Sequence, residues 1–351
     1  MSATSIPVID FSSFDADPNS RATRDIAEKV LHACRDVGFM YITGFTNPSP
    51  TLVDSVFDIT HRLFDGSLSA SDKIQYARAG KPTGYTDVGS EVLEPGTYDV
   101  KECYNIQKAL LDPTHTPTEA ELPAFLRDPE TIGTLQEFAR QCRALSIDVM
   151  RAMAVSLQMD VEWFVDRHDD ACKDKGGDNL RLLHYPPVPE DVLESWKVGD
   201  GYDGKRAIRA GAHGDYGSLT LLFQRDESGL QVLDKHSPTE RWIDAPVIPG
   251  AAVVNTGDLM EYWTRGLYKS TTHRVVIPTD SGSQRRPRYS VPYFSQPNDD
   301  VVLSPVPSPL VAASAAGGQF EGPTGTVKGD REDGEFTSFG YLMWRLTSTY
   351  K

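Results

Sequence analysis

Two short runs of the chain carry side chains that together could hold a metal ion: Ala212-His213-Gly214-Asp215-Tyr216-Gly217 and Ser270-Thr271-Thr272-His273-Arg274-Val275-Val276. In an extended strand residues i and i+2 point to the same face, so His213 and Asp215 present an imidazole and a carboxylate side by side. A strand carrying His273 and pairing nearby would add a second imidazole. Two histidines and one carboxylate on one side of a metal leave three positions open, which suits non-haem Fe(II) and O2. Alone, an H-x-D tripeptide is a weak motif, equally at home in a hydrogen-bonding pair at the surface. Fifteen residues after His273, Arg288-Tyr289-Ser290 puts a guanidinium and a hydroxyl on one strand face, a fork for a carboxylate.

Such groups need strands to hold them. From Asn179 onward the pattern is one of short strands separated by Gly, Pro and Asp, among them Leu219 to Phe223, Leu230 to Leu233, Ala251 to Val254 and His273 to Ile277. The expected fold is mostly β with flanking helices around a double-sheet jelly-roll barrel. Upstream, Ile6 to Phe11 and Phe39 to Ile42 read as strands. Between them Asp17 to Ser20 should cap a helix whose face is Ile26, Val30, Ala33, Cys34 and Val37, stopped by Gly38. Helical pieces follow from Leu52 to Leu63 and from Ser69, and a turn-rich stretch from Pro82 to Gly96 would leave Tyr85 exposed. The longest helical signal, Thr131 to Gln158, keeps its period through Leu135, Phe138, Cys142, Leu145, Val149, Met153 and Leu157. Ser304 to Glu335 has little periodicity and reads as a mobile loop. Phe339, Leu342, Met343, Leu346 and Tyr350 recur at helical spacing, predicting a C-terminal helix docked on the core by that stripe. The expected organisation is one catalytic domain over 1–351: an N-terminal strand and helix region (1–110), a long-helix support (111–178), a jelly-roll core with the metal site (179–303), a mobile loop (304–335) and a C-terminal helix (336–351).

With 351 residues, 39% of them hydrophobic, the chain can bury a substantial core. Its formal charge of −15, from 50 acidic and 35 basic residues, would repel a phosphate backbone, so polymeric nucleic acid is not an expected partner. The first residues lack a basic and then apolar leader, and no run approaches the ~18 apolar residues of a membrane span, which predicts a cytoplasmic protein. Cys34, Cys103, Cys142 and Cys172 are far apart with no C-x-x-C pair, arguing for reduced thiols over a zinc knot or disulfide framework. No G-x-S-x-G elbow and no phosphate-binding glycine loop is present.

The order H-x-D, then H, then R-x-S resembles the 2-oxoglutarate and Fe(II)-dependent dioxygenases of the isopenicillin N synthase-like group. Ile6 to Phe11, His184-Tyr185-Pro186-Pro187, Gly229 to Val232, Val254 to Leu259 and Tyr268-Lys269-Ser270 share the likeness, which covers nearly the whole chain. It implies a double-stranded β-helix core, with Fe(II) on His213, Asp215 and His273. 2-Oxoglutarate would be held by Arg288, Ser290 and Tyr185, with O2 as co-reactant, succinate and CO2 released, and a C–H bond of a small molecule oxidised, most simply by hydroxylation. Many plant members carry Asn two residues before that tyrosine; here it is Leu183. Some relatives keep R-x-S without using 2-oxoglutarate, so an Fe(II) oxidase of the same fold stays open, as does a metal-binding barrel with no turnover.

The runs Asp178 to Pro186, Asp215 to Gln224 and Lys269 to Val276 look most like the thymine hydroxylase branch and related tailoring oxygenases of secondary metabolism. That likeness places substrate contacts at Arg181, Tyr216 and Phe294, with Lys101, Tyr104 and Asn105 at the pocket rim. Aromatic faces sandwich planar rings and an arginine donates to a ring carbonyl. The expected substrate is a small, planar natural product, the alternative being a thymine-like nucleobase.

Overall fold

Among the described residues twelve strands form two sheets. In the computed structural model, which describes residues 5–77, 83–90, 99–168, 177–188, 208–234, 241–278, 286–315 and 334–349, the strands are β1 (Val8–Asp10), β2 (Phe39–Thr43), β3 (Gly84–Thr86), β4 (Glu102–Gln107), β5 (Asn179–Tyr185), β6 (Ile208–His213), β7 (Leu219–Arg225), β8 (Leu230–Leu233), β9 (Trp242–Asp244), β10 (Ala252–Thr256), β11 (His273–Val276) and β12 (Arg288–Ser295). The larger sheet runs β1-β2-β10-β7-β12-β5-β4-β3 and the smaller β6-β11-β8-β9. From β5 to β12 the chain crosses repeatedly between the sheets, with β5, β7, β10 and β12 in the larger and β6, β8, β9 and β11 in the smaller. That alternation is the double-stranded β-helix expected from the spacing of turns. All pairings are antiparallel except β1 with β2.

Helices cover the outer face of the larger sheet: α1 (Arg21–His32), α2 (Pro50–Arg62), α3 (Ala70–Gln75), α4 (Ala124–Arg127) and α5 (Pro129–Ser156), with α6 (Asp258–Trp263), α7 (Pro309–Ala315) and α8 (Ser338–Thr349) later in the chain. α5 starts where it can: Asp128 accepts from the amides of Glu130 and Thr131, and Pro129 in the first turn needs no donor partner. Leu135, Phe138, Cys142, Leu145, Val149 and Met153 are all buried, and Phe138 meets Phe223 of β7 edge-on at 5.3 Å. The end of α1 bears on the site. A π-type turn, Ala33–Val37, closes on Gly38 at φ 76°, where a Cβ would collide with the carbonyl of Lys269 and the hydroxyl of Thr271. The Lys269 amide donates to Cys34 O (2.9 Å) and Thr271 Oγ1 to Val37 O (2.7 Å), so this helix end holds the run that leads into His273.

Three expectations fail. Tyr85 is buried, not exposed: it lies in β3 and its hydroxyl donates to the Glu102 carboxylate at 2.5 Å. Within the supposed loop, Val306 and Val311 are buried and Pro309–Ala315 is helical, with Ser308 Oγ accepting from Leu310 and Val311 amides; residues 316–333 lie outside the described residues. The C-terminal helix forms, but Phe339 and Met343 are 50% and 41% exposed, and the helix is anchored by Tyr341 instead. Tyr341 and Trp344 join Phe336 and Tyr262 in an aromatic cluster with ring centroids 5.4–6.0 Å apart. Tyr350 lies outside the described residues.

Candidate functional site

β6 and β11 pair so that His213 and His273 are directly opposite, and Asp215 follows just past the end of β6. One ligand atom from each of the three lies within 4.8 Å of the others, and the imidazole centroids are 4.3 Å apart. Both rings donate Nδ1–H to a backbone carbonyl, His213 to Gly211 at 2.8 Å and His273 to Thr271 at 3.2 Å. Each Nε2 is thereby left with its lone pair, the tautomer a metal requires. Asp215 Oδ2 accepts from Thr220 Oγ1 (2.6 Å) and Asn255 Nδ2 (2.8 Å), while Oδ1 lies 3.8 Å from His273 Nε2. Burial, then the neighbouring His273, pushes the His213 pKa down to about 3. Burial works to raise that of Asp215, but the two imidazoles and the Asn255 and Thr220 donors outweigh it and hold it below the usual carboxylate range. Two imidazoles and one carboxylate converging on one point are the donor set of a divalent non-haem iron site.

A cavity of about 510 Å³ opens from these three residues. Strand alternation decides what lines it: Arg288, Ser290, Pro292 and Phe294 of β12 face inward, while Tyr289, Val291 and Tyr293 enter the core. At its inner end Arg288 is 1% exposed. Its Nη1 donates to Ser290 Oγ (3.2 Å), its Nη2 to Gln224 Oε1 (3.0 Å), its carbon Cζ stands 4.8 Å over the Tyr185 ring, and Nε has no hydrogen-bond partner. Among the described residues no carboxylate pairs with this buried cation. Burial accordingly lowers its pKa. A desolvated guanidinium held by neutral groups, with a donor to spare, is suited to the carboxylate of a bound ligand. Leu183 pairs with Ser290 across the sheet and packs with Cys103, Ala210 and Val275, so this position offers a ligand only apolar contact.

The residues expected to touch substrate all line the same cavity. Arg181 Nε donates to Asn105 Oδ1 at 2.6 Å, its Cζ lies 5.4 Å from the Phe294 ring, and the residue lines the cavity. Tyr216 lies beyond Asp215. Lys101 and Asn105 line the wall as well, Lys101 pairing with Asp99 at 2.5 Å, but Tyr104 points to the opposite face and is buried in the core. Asn255, Thr220 and Gln224 escaped the sequence reading as site residues. They fall on β10 and β7, and their only local signal is a polar side chain in an otherwise apolar strand.

Comparison with known proteins identifies the family. Residues 176–297 match the model of the 2OG-Fe(II) oxygenase superfamily, and residues 6–125 match the model described as non-haem dioxygenase in morphine synthesis N-terminal. A 2-oxoglutarate-Fe(II) type oxidoreductase of Aspergillus fumigatus is 33% identical over 305 residues, 84% of this chain and 83% of that one. A homoarginine-6-hydroxylase of Glycine max is 31% identical over 316 residues, 86% and 88% of the two chains. The crystal structure of the full-length thymine-7-hydroxylase of Neurospora crassa, in complex with alpha-KG and thymine, superposes with a TM-score of 0.75 at 33% identity, covering 98% of this chain and 97% of that one.

Proposed function

Because the chain belongs to the 2OG-Fe(II) oxygenase superfamily, we propose that His213, Asp215 and His273 hold its Fe(II), and that Arg288, Ser290 and Tyr185 receive the distal carboxylate of 2-oxoglutarate. The protein is a 2-oxoglutarate- and Fe(II)-dependent dioxygenase that oxidises a small organic substrate. Iron with 2-oxoglutarate and O2 supplies the oxidising power; the chain supplies position and a dry cavity. Asn255 and Thr220 orient the Asp215 carboxylate, the Gly211 and Thr271 carbonyls orient the imidazoles, and Gln224 and Ser290 aim the Arg288 fork. The carrying observation is Arg288, a fully buried cation whose hydrogen bonds go to the neutral Ser290 and Gln224 side chains. Succinate release in a one-to-one ratio with oxidised product tests it, and turnover that needs iron but no keto acid would favour an oxidase of the same fold.

The proposed reaction is hydroxylation of a planar, carbonyl-bearing natural product. Phe294 and Tyr216 offer ring faces and Arg181, steadied by Asn105, offers a donor to a ring carbonyl. A thymine-like base is the second reading, supported by the thymine complex of the Neurospora protein. Relatives of nearly equal identity are named for thymine and for homoarginine chemistry, so overall likeness does not choose between substrates. Incubating the iron-loaded enzyme with 2-oxoglutarate and thymine, uracil or flat aromatic metabolites, and following a +16 product, decides. The charge of −15 supports a small-molecule partner over polymeric nucleic acid. Cys34, Cys103 and Cys142 are free thiols, which supports a reducing, cytoplasmic compartment. Among the described residues no helix is long and apolar enough to cross a membrane.

A further inference from the structure

The last helix presents its apolar stripe to the catalytic cavity. Phe339, Leu342, Met343 and Leu346, spaced i, i+3, i+4 and i+7 on α8, all line it, and Leu342 lies against Gly177. The opposite face of α8 does the anchoring, through Tyr341, Trp344 and Arg345. Arg345 Nη2 meets Asp258 Oδ2 at 2.5 Å and its Cζ stands 4.9 Å over the Tyr216 ring. Asp258 opens α6, and its amide donates to the Asp215 carbonyl at 2.7 Å. Gly214, between His213 and Asp215, is so close to Asp258 that a Cβ there would lie 3.0 Å from its carboxylate. Arg345 therefore ties the wall of the cavity to the turn that carries His213 and Asp215. Lys101, Asn105 and Arg181 line the same cavity and give it polar groups.

We propose that α8 is the specificity wall of the enzyme: its stripe Phe339, Leu342, Met343 and Leu346 takes an apolar extension of a substrate whose planar, carbonyl-bearing head lies between Arg181, Tyr216 and Phe294, and Arg345 is the positioning residue that sets this wall against the metal-bearing turn. The proposal rests on the dioxygenase reading and narrows its substrate to an amphipathic planar molecule, larger than a bare nucleobase. Part-exposed apolar side chains in a 510 Å³ cavity gain about fourfold in affinity for each methylene they cover, the equivalent of ~0.8 kcal/mol.

The test uses the full chain loaded with Fe(II) and 2-oxoglutarate under anaerobic conditions. The probes are 7-hydroxycoumarins bearing methyl, propyl or hexyl at carbon 4, with dissociation constants read by fluorescence anisotropy. Wild-type affinity should rise several-fold per methylene from methyl to propyl. Met343→Asp should flatten that rise at least tenfold over the series, with the dissociation constant for 2-oxoglutarate unchanged. Arg345→Gln should flatten it too and Arg345→Lys, which keeps the charge opposite Asp258, should restore it; a loss of stability alone would not discriminate by chain length. An affinity independent of chain length, including no binding of any coumarin, overturns the proposal, as does a series that Met343→Asp leaves intact. Failure of the dioxygenase reading shows separately, as no binding of 2-oxoglutarate to the iron-loaded wild type.

Discussion

Replacing Arg288 with Lys isolates the carboxylate fork from everything else in the site. Arg288 is buried, its Nη1 and Nη2 are 3.2 Å and 3.0 Å from Ser290 Oγ and Gln224 Oε1, and its Cζ stands 4.8 Å over the Tyr185 ring. Lysine keeps the charge but replaces a planar pair of donors with a point charge that cannot bind a carboxylate side-on. The loss is one charge-assisted hydrogen bond, ~1.5–3 kcal/mol, which at ~1.4 kcal/mol per decade is roughly a 10- to 100-fold weaker hold on 2-oxoglutarate. Ser290→Ala removes only a neutral hydroxyl and should cost ~0.5–1.5 kcal/mol, about tenfold or less. The measurements are the dissociation constant of 2-oxoglutarate for the Fe(II)-loaded protein, by calorimetry without O2, and the KM from succinate formation. Both should rise together with the iron affinity unaltered. An Arg288→Lys enzyme whose constant for 2-oxoglutarate stays within twofold of wild type, at unchanged Tm, would refute the assignment of this fork.

Alanine at His213, Asp215 or His273 should abolish iron-dependent turnover with the fold retained, since the barrel has its own core; near-normal activity in any of the three, with iron bound, would disprove the triad. Asn255→Ala and Thr220→Val should each weaken iron binding by about 10- to 100-fold by freeing the Asp215 carboxylate, measured by competition with a chelator. Phe294→Ala should cost about 1 kcal/mol or more of binding for a flat substrate with 2-oxoglutarate affinity unchanged. Glu102 makes a pH prediction: burial would raise its pKa, but hydrogen bonds from His184, Lys73 and Tyr85 outweigh it and hold it at about 2. A depressed carboxyl stabilises the fold above its unfolded value of 4.5 and loses that contribution as pH falls toward 2. The Tm gap between wild type and Glu102→Gln should therefore be constant above about pH 4.5 and close below it; a gap that widens in acid contradicts the network.

The chain's local patterns determined what periodicity can encode. The side-by-side placement of His213 with Asp215 and of Arg288 with Ser290 follows from the two-residue repeat of a strand, and the 28-residue helix from Pro129 to Ser156 follows from its apolar period. The spacing of short strands and turns from Asn179 onward pointed to the barrel and left His273 as a third ligand conditional on its strand pairing nearby, and the resemblance to a known family implied both. Only the tertiary structure decided what lies across a gap in sequence. His273 meets His213 through the pairing of β6 with β11, and Asn255, Thr220 and Gln224 reach Asp215 and Arg288 from other strands. Tyr104 and Asn105 are neighbours in sequence, yet one is core and the other cavity wall, because alternation separates faces without saying which face a ligand will occupy. The same limit explains the C-terminal helix. Its spacing shows an apolar stripe, but a stripe against a core and a stripe lining a cavity look alike in sequence, since spacing does not encode what lies opposite. In the structure Arg345 meets Asp258, distant in the chain, while that stripe lines the cavity.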